Sequence, residues 1–551
     1  MFTVKNQAHG LKRRLTSKTL KRPKNEPHRR ISSARHRDSA AAADWCDVGQ
    51  MIEDMPSDDA IPRQRMSFTR SPAIPADQCD TGRVTIDMLP EDAFLVIFGL
   101  CLDDLDSKAT SMNGWHTLVH VCQKWRNIVF RSPHRLNLQL HCTPRTPVQR
   151  MLDVWPPLPI VIRHFGLTAS EWRMHDTITV HNITTALKQN DRVCQIALKP
   201  IPGWQWGKFM AAMSHPFPAL THLRLKSDDE RETPPDAPHS FLGGSTPRLR
   251  FLWLEGIPFP GLPKLLLSAT DLVDLRLWEI PQSGYISPNA MATCLSALTR
   301  LERLDLEFES PRSRPDQESQ RPPRFVLAAL TRFWFRGSSE YLDDLVARID
   351  APLLHGFFIG FFHQLMFDTP QLAQFIGRTP TLRLHNQSPY LCFSDWGASL
   401  VFSRAGTSDS ALQLGILCGQ SDWQVSSLAQ VCTSAFPIAF IPTVEHLSVL
   451  EETLSPPHWQ DDIENSQWLE LLHPFTAVKN LYLSKEFAPR IAPFLQKLVG
   501  GRATEALPAL QELFLEEIHP SRPVKKAIGR FVAARRLLNH PITISQWERR
   551  T

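Results

Sequence analysis

Short stretches of one pattern decide the fold of this chain: LTHLRL at 220–225, LRFLWL at 249–254, LVDLRL at 272–277 and LERLDL at 301–306. We call this six-residue pattern, apolar at its first, fourth and sixth positions, the cassette. Substituted copies are VCQIAL (193–198), LTRFWF (330–335), LHGFFI (354–359), VEHLSV (444–449), VKNLYL (478–483) and LQELFL (510–515). Among the first seven copies, successive starts are 23 to 29 residues apart. Each cassette predicts a short strand with its apolar side chains on one face, and the spacing leaves room for a helix before the next strand.

Recurrence at this period is typical of leucine-rich repeats. One strand cannot bury its own apolar face, so neighbouring repeats must stack into a parallel solenoid. WGKFMAAMSH (206–215) and SPNAMATCLSALT (287–299) are suitable return helices. The asparagine of ordinary leucine-rich repeats is absent, which favours an irregular arc. We therefore expect an α/β protein whose residues 135–548 form an irregular leucine-rich-repeat solenoid, with parallel strands on a concave face.

The pattern is weak in two places. Residues 360–440 keep the apolar composition but lose clean cassettes, and LRLH (382–385) and LQLGIL (412–417) are candidate degenerate turns of the same coil. SPRSRPDQESQRPPR (310–324) is polar and rich in proline and arginine. We interpret the region near 308–324 as an exposed insertion loop.

The residues that flank the central apolar position of each cassette should point to the strand face. One predicted row is Arg224, Trp253, Arg276, Asp305, Trp334 and Phe358. The adjacent row is His222, Phe251, Asp274, Arg303, Arg332 and Gly356. Trp and Arg on an exposed face are typical anchors of protein partners. The rows therefore indicate either a surface that binds a protein substrate or aromatics packed on one another beside solvated charges. Alternating Arg and Asp would suit a mixed-charge protein better than a phosphate backbone.

A different pattern precedes the cassettes. In LPEDAFLVIF (89–98), Pro90 followed by Glu91 and Asp92 predicts a helix start, because proline has no amide hydrogen to leave unpaired and acids suit the positive helix end. WHTLVHVCQKWRNIVF (115–130) has apolar residues at three- and four-residue steps and predicts an amphipathic helix. Two or three short helices cannot bury all of this apolar surface among themselves. We therefore expect part of the surface to be left for a partner.

LPEDAFLVIF followed by LVHVCQKWRNIV resembles the F-box motif, and the chain from about 84 to 548 is similar to a group of basidiomycete fungal F-box proteins. The resemblance implies a three-helix F-box at 84–134 that binds a Skp-type adaptor and, through it, a cullin–RING ubiquitin ligase. The adaptor-binding positions that it implies are Leu89, Pro90, Phe94, Ile97, Phe98, Val121, Cys122 and Trp125. Asp92 and Ala93 depart from the usual Glu and Leu, which reduces the contact area.

The N-terminal stretch is strongly charged. Residues 1–37 contain twelve Lys or Arg and one acid, whereas residues 38–62 contain seven acids and no Lys or Arg. We expect a disordered arm over residues 1–83. The basic part is open to three interpretations: a nuclear-localisation or nucleic-acid-binding tail, a mitochondrial presequence, which the following acidic run disfavours, or a solvated tail without a specific partner.

The sequence gives no sign of catalysis. HExxH, GxSxG, GxGxxG and CxxC motifs are absent, and GWQWGK (203–208) is too short for a P-loop. We expect no catalytic residues, no metal and no cofactor. No apolar run is long enough to span a bilayer, and the N-terminus has no secretory signal. A reducing, cytoplasmic or nuclear location with free thiols follows, without a membrane partner.

The resulting hypothesis is a non-catalytic substrate receptor of an SCF-type ubiquitin ligase, with the repeat region binding an unknown protein. The alternative is a leucine-rich-repeat scaffold that does not promote ubiquitination. A third class is a nuclear protein whose basic arm contacts nucleic acid, although a nucleic-acid partner is not expected.

Overall fold

The computed structural model describes residues 86–106, 114–143, 148–165, 176–228, 236–310, 323–364, 366–382, 389–403, 410–419, 421–436, 440–452, 465–498, 500–516 and 520–548. These residues belong to one compact unit, Asp77–Thr551. The predicted disordered arm at 1–83 lies outside the described residues. So does most of the predicted insertion loop, residues 311–322.

Three helices precede the sheet: α1 (Glu91–Asp106), α2 (Gly114–Val119) and α3 (Gln123–Arg131), after a 3-10 turn at Ile86–Met88. We call residues 86–131 the helical block. Phe94 and Phe98 of α1 are fully buried, and their rings lie 6.0 and 4.8 Å from the ring of Trp125 in α3. The block therefore has an aromatic core of its own.

The prediction of one helix over 115–130 is wrong. The chain leaves the helix after Val119, and Cys122 takes an extended conformation as the N-cap of α3. The thiol of Cys122 accepts a weak hydrogen bond from the Trp125 amide at 3.5 Å, and the Arg126 side chain donates to the Val119 carbonyl at 2.9 Å. These two contacts satisfy backbone groups at both sides of the break, which a pattern of apolar residues does not encode.

A sheet of sixteen strands forms the rest of the scaffold, with β12, β13 and β14 placed out of chain order. Its strands are β1 (Leu140–Cys142), β2 (Ile160–Phe165), β3 (Val193–Pro202), β4 (His222–Asp228), β5 (Phe251–Glu255), β6 (Asp274–Ile280), β7 (Arg303–Phe308), β9 (Arg332–Gly337), β11 (Gly356–Phe362), β14 (Ser410–Leu417), β13 (Gly397–Ser403), β12 (Tyr390–Ser394), β15 (His446–Glu451), β16 (Asn480–Leu483), β17 (Glu512–Leu515) and β18 (Thr543–Gln546), in spatial order. A separate parallel pair joins β8 (Phe325–Val326) to β10 (Ile349–Asp350).

Each of the ten cassettes contains a strand of this sheet, and the paired strands among them run parallel. Leu223, Leu252, Leu275 and Leu304 occupy equivalent positions in four successive strands, are paired in register and are fully buried. The architecture is mixed α/β with a long parallel sheet, consistent with the predicted solenoid. The repeat period alone was enough to place these strands.

The region of weak cassettes is where the sheet changes direction. β14 pairs parallel with β11, but β13 runs antiparallel to both β14 and β12, and β12 then pairs parallel with β15. LQLGIL (412–417) is thus a strand of the sheet, next to LHGFFI. Of LRLH, only Leu382 is described, at the end of a 3-10 turn at Pro380–Leu382.

Helices return the chain between strands: α4 (Val148–Val154), α5 (Asp176–Leu187), α6 (Gly203–Ala212), α7 (Leu262–Ser268), α8 (Pro288–Ala297), α9 (Ser339–Val346), α10 (Pro370–Arg378), α11 (Ser421–Ala435), α12 (Asn465–Leu472), α13 (Ala488–Lys497) and α14 (Arg522–Leu537). Further 3-10 turns occupy Phe241–Gly244, Gln282–Gly284, Ile441–Thr443 and Gly500–Thr504. The two predicted return helices are α6 and α8. One continuous apolar core joins the helices to the inward side of the sheet and also includes the helical block.

Polar side chains tie consecutive repeats together. The Asp343 carboxylate in α9 accepts hydrogen bonds from the amides of Gln371 and Leu372 at the start of α10. At the C-terminal end, Arg535 is fully buried and donates to the carbonyls of Ala503, Pro508 and Leu510. Because each bond crosses a repeat boundary, the strand face is held by more than apolar stacking.

Candidate functional site

The predicted row lies across the sheet in one register. Arg224, Trp253, Arg276, Asp305, Trp334 and Phe358 are direct lateral neighbours in six successive strands. The second predicted row, from His222 to Gly356, is also continuous, two residues earlier in each strand. The sequence therefore placed both rows correctly, since a fixed cassette fixes the register.

Two members of the first row are not available to a partner. Asp305 is 1% exposed, because the side chains of Arg303 and Arg276 lie over it. Trp253 is 6% exposed, with the Arg224 guanidinium 3.2 Å from its ring centre and Trp278 4.7 Å away. For these two positions the alternative of mutual packing is the correct one. Arg224, Arg276, Trp334 and Phe358 remain partly exposed.

Arginine pairs organise this part of the face. Arg303 binds both oxygens of Asp305, at 2.8 and 3.1 Å, and Arg276 binds both oxygens of Asp274, at 2.8 and 2.9 Å. Loss of hydration raises the pKa of Asp305, and the Arg303 hydrogen bonds oppose that shift. The paired geometry explains how a carboxylate can be tolerated under the surface.

Sequence reasoning missed a third row, two residues later in each strand. Lys226, Glu255 and Trp278 are lateral neighbours in its first part, and Glu307 and Arg336 in its second, with a register shift after Leu277 between the two parts. Lys226 pairs with Glu255 at 2.5 Å and Arg336 with Glu307 at 2.6 Å. Burial raises the pKa of Glu307 to about 7, against the opposing charge of Arg336. The sequence contained the signal for these positions. Each comes directly after the last cassette residue and two residues after the first row, so it lies on the same face of the strand.

Arg163 was missed for a different reason. It lies on the first row through Ala197, which pairs with Arg224, but its strand β2 has no cassette. The guanidinium of Arg163 donates to Gln195 at 3.3 Å.

Beyond β11 the same face becomes uncharged along its central row. The row continues through the following residues in order: Gln413, Val401, Tyr390, Ser448, Tyr482, Phe514 and Ser545. Tyr482 stacks on Phe514 with 4.4 Å between ring centres. We call β2–β9, which carry the charged rows described above, the charged half, and the strands β15–β18, whose central row is uncharged, the neutral half.

The structure divides the eight predicted adaptor-binding residues into two sets. Phe94 and Phe98 are fully buried, and Trp125 and Leu89 are partly buried against the same core. Pro90, Ile97, Val121 and Cys122 are exposed. Only the second set is open to a partner in this conformation.

Further exposed apolar side chains on the helical block were not predicted. Val96 and Leu100 of α1 are 61% and 66% exposed, one helical turn apart, beside Ile97. Met88, just before α1, is also exposed. We call Val96, Ile97 and Leu100 the α1 stripe. The helical wheel could have separated this stripe from the buried Phe94 and Phe98, but composition alone could not.

The helical block is fixed to the first strands of the sheet. The Trp115 indole donates to the Gln139 carbonyl at 2.9 Å, and its ring lies 5.1 Å from that of Trp155. His116 stacks on Trp155 at 4.8 Å. These contacts set the direction of the α1 stripe relative to the sheet.

Reactive chemistry has little support in the part of the chain that the structure describes. Burial raises the pKa of Cys142 and of Cys294 to about 11, so both thiols are protonated at neutral pH. No group of three His, Cys, Asp or Glu there is arranged to hold a metal ion. Among the described helices, none has the length and apolar character needed to cross a membrane.

Comparison with known proteins gives few relatives. No family model matches the chain, and no curated protein matches it. Among solved structures, the leucine-rich repeat-containing protein LegL7 from Legionella pneumophila is similar at 13% identity and a TM-score of 0.23, over 72% of this chain and 97% of that chain.

Proposed function

We propose that this chain is the substrate-recognition subunit of an SCF-type ubiquitin ligase. In this proposal the helical block docks a Skp-type adaptor, and the strand face holds a protein substrate. The chain itself performs no chemistry. It raises the effective concentration of a substrate lysine near a ligase-bound ubiquitin donor.

The α1 stripe is the observation behind the adaptor half of the proposal. Val96, Ile97 and Leu100 are exposed although the neighbouring Phe94 and Phe98 are fully buried. An exposed apolar stripe on a helix, next to a well-packed core, is typical of a surface covered by a partner. The resemblance of this segment to the F-box motif indicates which partner to test first.

The rigid junction supports the substrate half. Trp115 and Trp155 join the helical block to the sheet, and a single core continues through both. A receptor needs a fixed geometry between adaptor and substrate, because a free hinge would lower the effective concentration of the reacting groups.

The test is co-expression of the full chain with a fungal Skp-type adaptor, followed by size-exclusion chromatography. We expect a stable one-to-one complex that is lost in the double variant Val96→Asp with Leu100→Asp. Both side chains are exposed, so the variant should fold, whereas changing Trp125 would also disturb the aromatic core.

The matched control places the same charges elsewhere, as Met366→Asp with Leu537→Asp, because both residues are exposed and apolar. The control should bind the adaptor normally. A wild-type chain that folds but binds no adaptor would contradict the proposal and leave a repeat scaffold.

A further inference from the structure

The charged half of the strand face presents its two signs of charge at different depths. Three of the five acids described in this half lie low: the side chains of Asp305, Glu255 and Glu307 are 1%, 9% and 10% exposed. The cations paired with these three lie above: Arg303, Lys226 and Arg336 are 31%, 42% and 26% exposed. Asp274 is 19% exposed, close to the 20% of its partner Arg276, and Glu279 is exposed. Lys and Arg side chains are long enough to extend beyond a shorter acidic side chain, so their charged ends stay in water.

This difference in depth favours a partner other than the mixed-charge protein that the sequence suggested. Arg and Asp alternate along the strands, but the alternation is not what a partner meets, since Asp305 is covered by Arg303 and Arg276. The accessible groups in this half are mainly guanidinium and ammonium ends. A partner is attracted by the charge that it can approach, which here is positive.

The net charge agrees with this view. Among the described side chains of this half, eight are cationic: Arg163, Lys199, Arg224, Lys226, Arg276, Arg303, Arg332 and Arg336. Five are acidic: Glu255, Asp274, Glu279, Asp305 and Glu307. By contrast, residues 38–551 together carry 49 Lys or Arg against 55 acids. A locally positive face on an otherwise acidic body is suited to steering an acidic ligand to one place.

The pKa of His222 is affected by cations near this face. Its pKa is lowered, first by partial burial and then by the charges of Arg250 and Arg163. Nearby positive charge therefore adds to the effect of burial at this edge of the face.

The covered face of Trp253 favours a polypeptide over a nucleic acid at this position. Bases bind to flat aromatic faces that are open to solvent. The Trp253 ring is covered by Arg224 at 3.2 Å, and Arg276 and Lys199 lie over it at 5.4 Å. A base therefore finds no open face on Trp253, whereas carboxylates can bind the guanidinium ends above it.

We propose that the charged half of the strand face binds an acidic, extended polypeptide segment. This proposal deepens the proposed function, on which it rests for taking this face as the substrate site. The strands from β2 to β9 are seven neighbours in the sheet, which at about 4.8 Å spacing span roughly 29 Å. At about 3.3 Å per residue, an extended segment of roughly nine residues would cross them.

The experiment measures binding of a fluorescent poly-glutamate peptide of about ten residues to the full chain by fluorescence anisotropy, without adaptor. We expect saturable binding that weakens as salt rises, because exposed charges are screened. Arg332→Gln and Arg163→Gln should each weaken binding by about fivefold to tenfold. Both remove a cation of the face without leaving one of the buried acids unpaired.

The matched control is Lys525→Gln with Lys526→Gln, which removes exposed cations from helix α14 instead of the sheet. The control should keep wild-type affinity. Equal losses in the control and the face variants would overturn the proposal, because binding would then depend on overall charge alone. Tighter binding of a poly-uridine oligonucleotide than of the peptide would also overturn it.

The two proposals fail separately. Loss of peptide binding in a chain that still binds the adaptor overturns only the acidic-segment proposal. Peptide binding by a chain that never binds the adaptor overturns only the ligase role.

Discussion

The two halves of the strand face share a backbone arrangement but differ in how their side chains pack. In the charged half, Trp253 is almost completely covered by cations, and acids are buried beneath guanidinium groups. In the neutral half, Tyr482 and Phe514 stack at 4.4 Å and both stay partly exposed. The strands are parallel in both halves. Register shifts interrupt three strand pairs of the charged half, but the cassette rows pair directly in both halves. The repeat thus fixes where side chains stand, and the identity of the side chains decides whether they form a layer or stay accessible.

The boundary between the halves coincides with a change in the strands of the sheet. At the boundary, Gly360 of β11 pairs with Gly415 of β14, and the antiparallel strand β13 follows. Two facing glycines leave the sheet without side chains at that point. On the third row, the last ion pair before this point joins Arg336 to Glu307.

Replacing one aromatic residue in each half should give the largest difference in the free energy of unfolding between the two halves. We expect Trp253→Ala to lower the free energy of unfolding by about 2–4 kcal/mol, because Trp253 is nearly buried and packs on Arg224 and Trp278. Tyr482→Ala should cost only about 1 kcal/mol, since the lost stacking partner is half in water. Urea denaturation followed by circular dichroism measures both. Equal losses would mean that the two faces pack alike.

The pH dependence of the free energy of unfolding that comes from Glu307 tests whether this acid is buried beneath its cation. Its pKa in the folded chain is about 7, above the ordinary value of 4.5, so the folded state holds the proton more tightly. Stability from this group is therefore full below pH 4.5 and is lost as pH rises through 7.

Glu307→Gln keeps an acceptor for Arg336 and removes the ionisation. The variant should match the wild type at about pH 4 and exceed it by on the order of 2 kcal/mol at about pH 8. Denaturant midpoints across this pH range give the comparison. A constant difference between the two proteins at all pH values would rule out Glu307 as the source.

The smallest expected effects come from two Lys–Glu pairs, one in the charged half and one just before the strands of the neutral half. Lys226→Ala should cost about 1–2 kcal/mol, because it leaves the nearly buried Glu255 without its cation. Lys479→Ala breaks the pair with Glu445, in which both partners are well exposed, and should cost less than about 0.5 kcal/mol. The difference should persist at high salt, which screens only the exposed pair. A larger cost for Lys479→Ala than for Lys226→Ala would contradict the expectation that exposure decides how much each pair stabilises the fold.

Prediction from the sequence succeeded where a residue's role depends on its own repeat. Leu223 and Leu252 were placed in the core, and Arg224 and Trp253 on one row, from the cassette alone. It failed where the role depends on a neighbouring strand. Asp305 is buried partly because Arg276 of the neighbouring strand β6 reaches over it, and no pattern within its own cassette encodes that contact.

The helical block follows the same rule. The apolar residues of 89–130 were recognised, but which of them are buried depends on the break at Cys122 and on the packing of Trp125 against Phe94 and Phe98. The reversal of β13 within residues 360–440 is likewise absent from any local pattern. Long-range pairing chose both arrangements.

The sequence by itself determined the repeat, the position of ten strands, the register of the rows and an apolar helical segment before them. These depend on the spacing of apolar residues, which is a one-dimensional property. Only the tertiary structure decided which charges are buried, which apolar residues form the α1 stripe and how the halves of the face differ. Burial is set by all neighbours of a side chain at once, and most of those neighbours lie one repeat or more away along the chain.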